Sequence, residues 1–189
     1  MWSDPWLLQR GHTLRCEPRD FPEWHRGRPY YLCWVINADT PAVRARWQQA
    51  RTALQQLLLP AYGRQPHVTI ALGGFPQTQA EPQAINAAGL LAQLQGLRQA
   101  AIAPFTLQIG RLDSFASVPY LQVHADSTGY ADARQALLTQ EALAEAHVPH
   151  LTLGHYADAW PLATLVSCRA RVPEQVTALP VQQLWLVAY

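Results

Sequence analysis

Residues 66–70 of the chain read PHVTI, and residues 149–153 read PHLTL, so the two histidines are 83 positions apart. Each stretch follows a segment with helical periodicity and has the alternating aliphatic residues typical of a strand. A chain of this composition contains about 0.03 Pro-His-x-Thr sequences by chance. Two such sequences in similar structural contexts therefore indicate a duplicated unit.

The period of a strand assigns the residues of each stretch to two faces. Because successive side chains alternate, His67 and Thr69 share one face, and His150 and Thr152 share the corresponding face of the second strand. The intervening aliphatic residues are then directed to the core. If a pseudo-twofold axis relates the two units, the two His-Thr pairs meet across a groove.

Two histidines and two threonines in this arrangement suit displacement at phosphorus. Such a reaction needs a base on the attacking side and an acid on the leaving side, and imidazole serves as either near neutral pH. Thr69 and Thr152 would donate hydrogen bonds to the non-bridging phosphate oxygens. His67 and His150 are therefore the predicted catalytic residues, in a reaction that requires no metal ion and no other cofactor.

The rest of the chain alternates strands and helices, which predicts an α+β fold. The expected fold has two duplicated lobes of antiparallel sheet, with helices on the outer face and the active-site groove between the lobes. Residues 1–28 have no clear period and are interpreted as an irregular extension, and residues 29–189 as one bilobal domain. The predicted elements are strands at 30–36, 67–72, 105–109, 120–124, 149–156 and 181–189, and helices at 40–57, 90–101, about 127–146 and 162–169.

Composition and charge narrow the possible functions. The chain has 189 residues, of which 49% are hydrophobic, so a substantial core is expected. The formal net charge is +1, and all fourteen cationic side chains are arginine, which excludes Schiff-base chemistry and a lysine-dependent P-loop. Three widely spaced cysteines and the lack of a long apolar run favour a soluble, cytoplasmic protein, expected to be a monomer without an obligate protein partner or membrane contact.

Four further residues are candidates for substrate binding, each with an alternative. Tyr156 shares the motif face and would stack on a base or merely cover the groove, and Phe75 would stack on a nucleobase or pack in the core. Arg64 and Arg111 would contact phosphate oxygens or simply be solvated. A separate possibility is a metal site formed by His147, His150 and His155, in and around the second stretch.

The paired His-x-Thr sequences, about 80 residues apart and each on a strand of a bilobal α+β fold, resemble those of the 2H phosphoesterase superfamily. This superfamily includes the 2′-5′ RNA ligase-like proteins and the RNA 2′,3′-cyclic phosphodiesterases. The resemblance covers roughly residues 29–189 and implies that His67, Thr69, His150 and Thr152 form the catalytic set. The ligase-like branch often has arginine five residues after the second motif histidine, where this chain has His155.

These observations predict a metal-independent phosphodiesterase that hydrolyses a 2′,3′-cyclic phosphate at an RNA end or on a small cyclic nucleotide. The reverse step would join RNA ends through a 2′-5′ linkage. One alternative is a non-catalytic module that binds nucleotide or RNA in the same groove, and another is a zinc-dependent hydrolase built on the three histidines. Loss of turnover in single histidine variants would separate catalysis from binding, and resistance to a chelator would exclude the zinc enzyme.

Overall fold

The computed structural model of the protein describes residues 2–60, 62–78, 83–138 and 147–189. Six helices and eight strands are assigned within these residues. In chain order they are α1 (Pro5–Arg10), α2 (Asp20–His25), β1 (Leu32–Asn37), α3 (Pro41–Leu54), β2 (His67–Pro76), β3 (Ala84–Ile85), α4 (Ala87–Ala100), β4 (Phe105–Ser114), β5 (Pro119–Ala125), α5 (Gly129–Leu137), β6 (His150–Thr152), α6 (Leu162–Arg169), β7 (Thr177–Val181) and β8 (Trp185–Ala188).

The strands form one sheet in the order β7-β4-β5-β6-β2-β1-β8, and short β3 pairs with β2. Every pairing is antiparallel except that of β2 with β3. The two motif strands, β2 and β6, are neighbours at the centre of the sheet and pair at Val68 and Leu151. This architecture confirms the predicted α+β fold with antiparallel strands.

Each half of the sheet has the same order of elements around its motif strand. In one half β1, α3 and β2 follow one another, and in the other half β5, α5 and β6 do so. In both halves the first strand pairs antiparallel with the motif strand. The order matches the expected repeat, although duplication itself stays a prediction.

The hydrophobic core lies on the face of the sheet opposite the motif histidines. Val68 and Leu151 are fully buried and alternate with the motif residues, so they define the core face. Residues of α3, α5 and α6 belong to the same buried cluster, and residues of α4 pack against it. These four helices therefore cover one face of the sheet and leave the motif face for other contacts. No helix in the described ranges is both long and apolar enough to cross a membrane.

Several predicted boundaries differ from the structure. The first motif strand continues through Gly74 to Pro76 because the glycine allows a close approach: its φ is 109°, and a Cβ there would lie 2.8 Å from the carbonyl oxygen of Gln83. The predicted terminal strand at 181–189 contains β8 and only the last residue of β7. The predicted third helix ends at Leu137, and its expected continuation through 139–146 lies outside the described residues.

The N-terminal segment contains two six-residue helices, α1 and α2, where the sequence indicated no regular structure. It packs against the main body, since Leu7 is fully buried and Trp2 is 6% exposed. Backbone bonds join Thr13 to Trp160 and Cys16 to Tyr156. The segment therefore lies along the main body, and its boundary at residue 28 remains a prediction.

Candidate active site

The pairing of β2 with β6 brings the four predicted catalytic residues together. Because Val68 lies opposite Leu151 in an antiparallel pair, His67 lies beside Thr152 and Thr69 beside His150. All four side chains are on the motif face, since they alternate with the two buried aliphatic residues. Diagonal neighbours across such a pair have Cα atoms about 7–8 Å apart, which sets the separation of the two histidines.

The two motif histidines make the same hydrogen bond in the two halves. The Nδ1 atom of His67 lies 2.7 Å from the carbonyl oxygen of Gln65, and the Nδ1 atom of His150 lies 2.7 Å from that of Val148. A carbonyl oxygen only accepts, so each Nδ1 atom donates and carries a hydrogen. In the neutral imidazole the Nε2 atom is then unprotonated and available to accept a proton.

The prolines of the two motifs explain why this bond is repeated. The accepting carbonyls belong to Gln65 and Val148, the residues that immediately precede Pro66 and Pro149. Proline fixes its own φ and restricts the preceding residue to an extended conformation. Each carbonyl is therefore held two residues before a motif histidine. The sequence carried this signal in the shared proline, but the carbonyl partners were not predicted.

Aromatic rings pack against both imidazoles. The ring of Tyr189 lies 5.5 Å from that of His67, measured between centroids. Phe115 and Tyr120 lie 5.1 Å and 5.5 Å from His150, with Phe115 perpendicular to the imidazole. None of these three rings was predicted as part of the site, because their positions in strands or loops carry no local motif.

Burial lowers the pKa of both motif histidines below the ordinary value, and neighbouring charge contributes at His67. For His67 burial is the largest cause, and the charges of Arg64 and His150 lower its pKa further, while the bond to the Gln65 carbonyl opposes the shift. For His150 burial also lowers the pKa, opposed by the bond to Val148. Both imidazoles are thus largely neutral at pH 7, and protonation of one disfavours protonation of the other.

The two candidate arginines lie on opposite sides of the motif pair. The guanidinium carbon of Arg64 lies 4.3 Å from the ring centroid of Tyr189, and its charge acts on His67. Arg111 donates from Nε to the Oε1 atom of Gln122 at 3.2 Å, and Gln122 pairs with His150 across β5 and β6. Arg64 therefore adjoins His67, and Arg111 bonds the side chain of Gln122, which lies beside His150 in the sheet.

Tyr156 and Phe75 are not available to a substrate, and their predicted binding roles are wrong. Both are 0% exposed. Strand β6 ends at Thr152, and Gly154 has a φ of 153°, so the alternation that placed Tyr156 on the motif face does not reach it. The Tyr156 hydroxyl bonds the Ser114 hydroxyl at 2.8 Å, and burial raises the pKa of Tyr156. Phe75 packs against Tyr31, with 4.6 Å between ring centroids.

The three histidines considered as a metal site are held by different partners. His147 Nε2 lies 2.6 Å from the hydroxyl of Tyr130, and burial lowers the pKa of His147 to about 4. His155 packs against Phe21, with 5.0 Å between ring centroids. Within the part of the chain that the structure describes, no three His, Cys, Asp or Glu side chains form a group able to hold a metal ion.

A network of polar residues beside His150 includes the start of the chain. The buried carboxylate of Asp113 accepts from the Ser3 backbone at 3.1 Å and from the Ser3 hydroxyl at 2.6 Å. It also accepts from the side chain of Gln122 at 2.6 Å. The Ser3 hydroxyl lies 3.1 Å from that of Tyr120, which packs on His150. Sequence reasoning missed this network, since Ser3 is at least 110 residues from the other members.

An antiparallel sheet whose two central strands each present a His-x-Thr sequence on one face is the arrangement expected of a two-histidine phosphoesterase. A family model described as the 2′-5′ RNA ligase superfamily matches residues 39–189. The chain belongs to this family.

Solved structures share the fold. TT0787 of Thermus thermophilus is 19% identical, with a TM-score of 0.54, and the match covers 82% of this chain and 86% of that one. Escherichia coli LigT, crystallised with 3′-AMP, is 18% identical, with a TM-score of 0.54 and coverage of 85% and 88%. A structure described as a phosphoesterase is 19% identical, with a TM-score of 0.52 and coverage of 85% and 88%. No curated protein matches the sequence significantly.

Proposed function

We propose that the protein hydrolyses a 2′,3′-cyclic phosphate, at an RNA end or on a small nucleotide, with His67 and His150 as general acid and base. The observation that carries this proposal is the matched Nδ1 bond of the two histidines. Among the described residues, the Nε2 atom of each imidazole has no hydrogen-bond partner, and both imidazoles lie on the same sheet face. The crystal of LigT contains 3′-AMP, a nucleoside 3′-phosphate, which supports a nucleotide substrate.

The reaction requires one proton to be removed and one to be delivered. The Nε2 atom of one histidine takes a proton from water as the water oxygen bonds to phosphorus. The bond from phosphorus to one ribose oxygen breaks, and the other histidine, which reacts in its doubly protonated form, passes its Nε2 hydrogen to that oxygen. The product is a phosphomonoester with one free ribose hydroxyl, and both imidazoles return to their starting states by proton exchange with solvent.

The remaining residues of the site would stabilise charge on the phosphoryl group. Thr69 and Thr152 lie beside the opposite histidine in the strand pair, so their hydroxyls would donate to the non-bridging oxygens between the imidazoles. Arg64 would supply a nearby positive charge, which suits an anionic substrate. The same site would catalyse a related reaction, in which a ribose 5′-hydroxyl replaces water as the nucleophile, the bond from phosphorus to the 3′ oxygen breaks and a 2′-5′ linkage forms.

Hydrolysis of 2′,3′-cyclic nucleotides and of a short RNA with a cyclic phosphate end tests the proposal, with a chelator present. We expect His67→Ala and His150→Ala each to lower kcat by about 10²–10⁴-fold. The matched control is His12→Ala, because the Nδ1 atom of His12 also bonds a backbone carbonyl, at 2.9 Å, outside the motif strands. Folded wild-type protein that binds these nucleotides without turnover would instead support a binding module.

A further inference from the structure

We propose that the N-terminal segment completes a nucleobase-binding pocket beside the motif histidines. The pocket has a volume of about 410 Å³ and is lined by Pro18, Phe21, Leu59, Pro60, Tyr62, Gly63, Arg64 and His155. Two of these residues, Pro18 and Phe21, precede residue 39, where the match to the family begins. The proposal deepens the proposed function, on which it rests, by assigning the site that holds the base of the substrate.

The lining of the pocket suits a planar aromatic ligand. Phe21 packs edge-on against His155, with 5.0 Å between ring centroids, and Tyr62 lies 5.8 Å from the same imidazole. Aromatic side chains bind bases of any sequence by stacking, since every base has a π-face. Burial lowers the pKa of His155, so its neutral ring offers both a face and a hydrogen-bonding edge at pH 7.

Arg64 connects this pocket to the catalytic residues. It lines the pocket, and its charge lowers the pKa of both His67 and His155. Arg64 is three residues before His67, so their Cα atoms are at most about 11 Å apart. A nucleotide with its phosphate beside His67 can therefore extend its base towards Phe21 while Arg64 lies between the two groups.

The walls of the pocket are fixed by backbone hydrogen bonds. The amide of Leu59 donates to the carbonyl of His155 at 2.8 Å, which joins two of the walls. The amide of Cys16 donates to the carbonyl of Tyr156 at 2.8 Å and holds the chain just before Pro18. The pocket is therefore formed before a ligand arrives, which reduces the entropic cost of binding.

A second recess, which includes His67 itself, is too small for this role. It has a volume of about 150 Å³ and is lined partly by Trp185 and Tyr189. Pockets that enclose small ligands have volumes of about 300–1,000 Å³, a range that includes the pocket at Phe21 and excludes this recess. The base is therefore assigned to the pocket that the N-terminal segment helps to form.

Binding of 3′-AMP and of inorganic phosphate, measured by calorimetry on the whole chain, tests the proposal. Stacking contributes about 1–3 kcal/mol per base, so Phe21→Ala and Phe21→Leu should raise the Kd for 3′-AMP about 5- to 150-fold and leave the Kd for phosphate unchanged. Phe21→Tyr keeps an aromatic ring and should bind 3′-AMP with wild-type affinity. The control is Trp24→Ala, a truncation on the same helix of a residue that contacts Phe75. Melting temperatures establish that each variant is folded.

Two results would overturn the pocket: unchanged affinity for 3′-AMP in folded Phe21→Ala and Phe21→Leu, or equal weakening of 3′-AMP and phosphate. Hydrolysis assays on the same proteins separate this outcome from failure of the proposed function. If wild-type protein hydrolyses cyclic phosphates but Phe21 does not affect 3′-AMP binding, the function stands without the pocket. If Phe21 governs 3′-AMP binding but no cyclic phosphate is hydrolysed, the pocket stands and the function fails.

Discussion

Substitution of Asp113 should reduce the stability of the fold more than substitution at most positions outside the motif strands. Its side chain is fully buried and accepts four hydrogen bonds: two at Oδ1, from the Ser3 amide at 3.1 Å and the Ser114 amide at 2.8 Å, and two at Oδ2. The Oδ2 donors are the Ser3 hydroxyl and Gln122 Nε2, both at 2.6 Å. The substitution Asp113→Asn keeps the shape of the side chain and removes its charge.

The cost of this substitution follows from the donors. With its oxygen at the Oδ1 position, the amide still accepts from both backbone groups, but its NH₂ group faces the Nε2 donor of Gln122. Rotating the Gln122 amide would move the conflict to Arg111, whose Nε donates to Gln122 Oε1. A lost bond to a charged acceptor costs about 1.5–3 kcal/mol, and a buried donor without a partner costs about 1–3 kcal/mol. We expect Asp113→Asn to lower the free energy of unfolding by about 3 kcal/mol.

Urea unfolding at pH 7 provides the measurement. The matched control is Asp126→Asn, because Asp126 also accepts a bond from a glutamine amide, Gln108, at 2.8 Å, but on the exposed surface. The control should change the free energy of unfolding by less than about 0.5 kcal/mol. A loss below about 1 kcal/mol for Asp113→Asn, or losses of equal size in the two variants, would refute the reasoning.

Three further substitutions test the electrostatics and the backbone. Arg64→Gln removes a charge that lowers the pKa of His67, so the limb of the kcat/KM profile governed by His67 should move to higher pH. The pKa of His147 is lowered to about 4, so the unfolded chain binds a proton at this residue before the folded chain does, and stability falls as the pH falls from about 6.5 to 4. His147→Gln should lessen that loss of stability by about 1–2 kcal/mol after allowance for solvent screening, as measured by urea unfolding. Gly74→Ala places a Cβ 2.8 Å from the Gln83 carbonyl oxygen and should cost more than about 1 kcal/mol in thermal unfolding.

The parts of the site that could be predicted are those governed by the period of a regular strand. His67, Thr69, His150 and Thr152 lie within β2 and β6, so alternation assigned them to one face. Alternation failed for Tyr156, which follows the end of β6 and the unusual backbone of Gly154.

Contacts between distant segments could not be predicted in the same way. Ser3 bonds Asp113, and Phe21 contacts His155, yet neither pair leaves a pattern in the sequence. The extent of Phe75 burial depends on Trp24 of the N-terminal segment, a contact that no local periodicity reveals. Such contacts depend on how the segment crosses the main body, which is decided by tertiary packing rather than by local propensity.

The hydrogen bonds of the N-terminal segment have a consequence for the order of folding. The hydroxyl of Ser3 bonds a residue 110 positions later, and the hydroxyl of Thr13 bonds the Asp158 carbonyl, 145 positions later. On a ribosome this segment emerges before the residues that it bonds, and closing such long loops is slow. The segment is therefore expected to be among the last parts of the fold to dock, so Phe21 would reach His155 only after the central strands have formed.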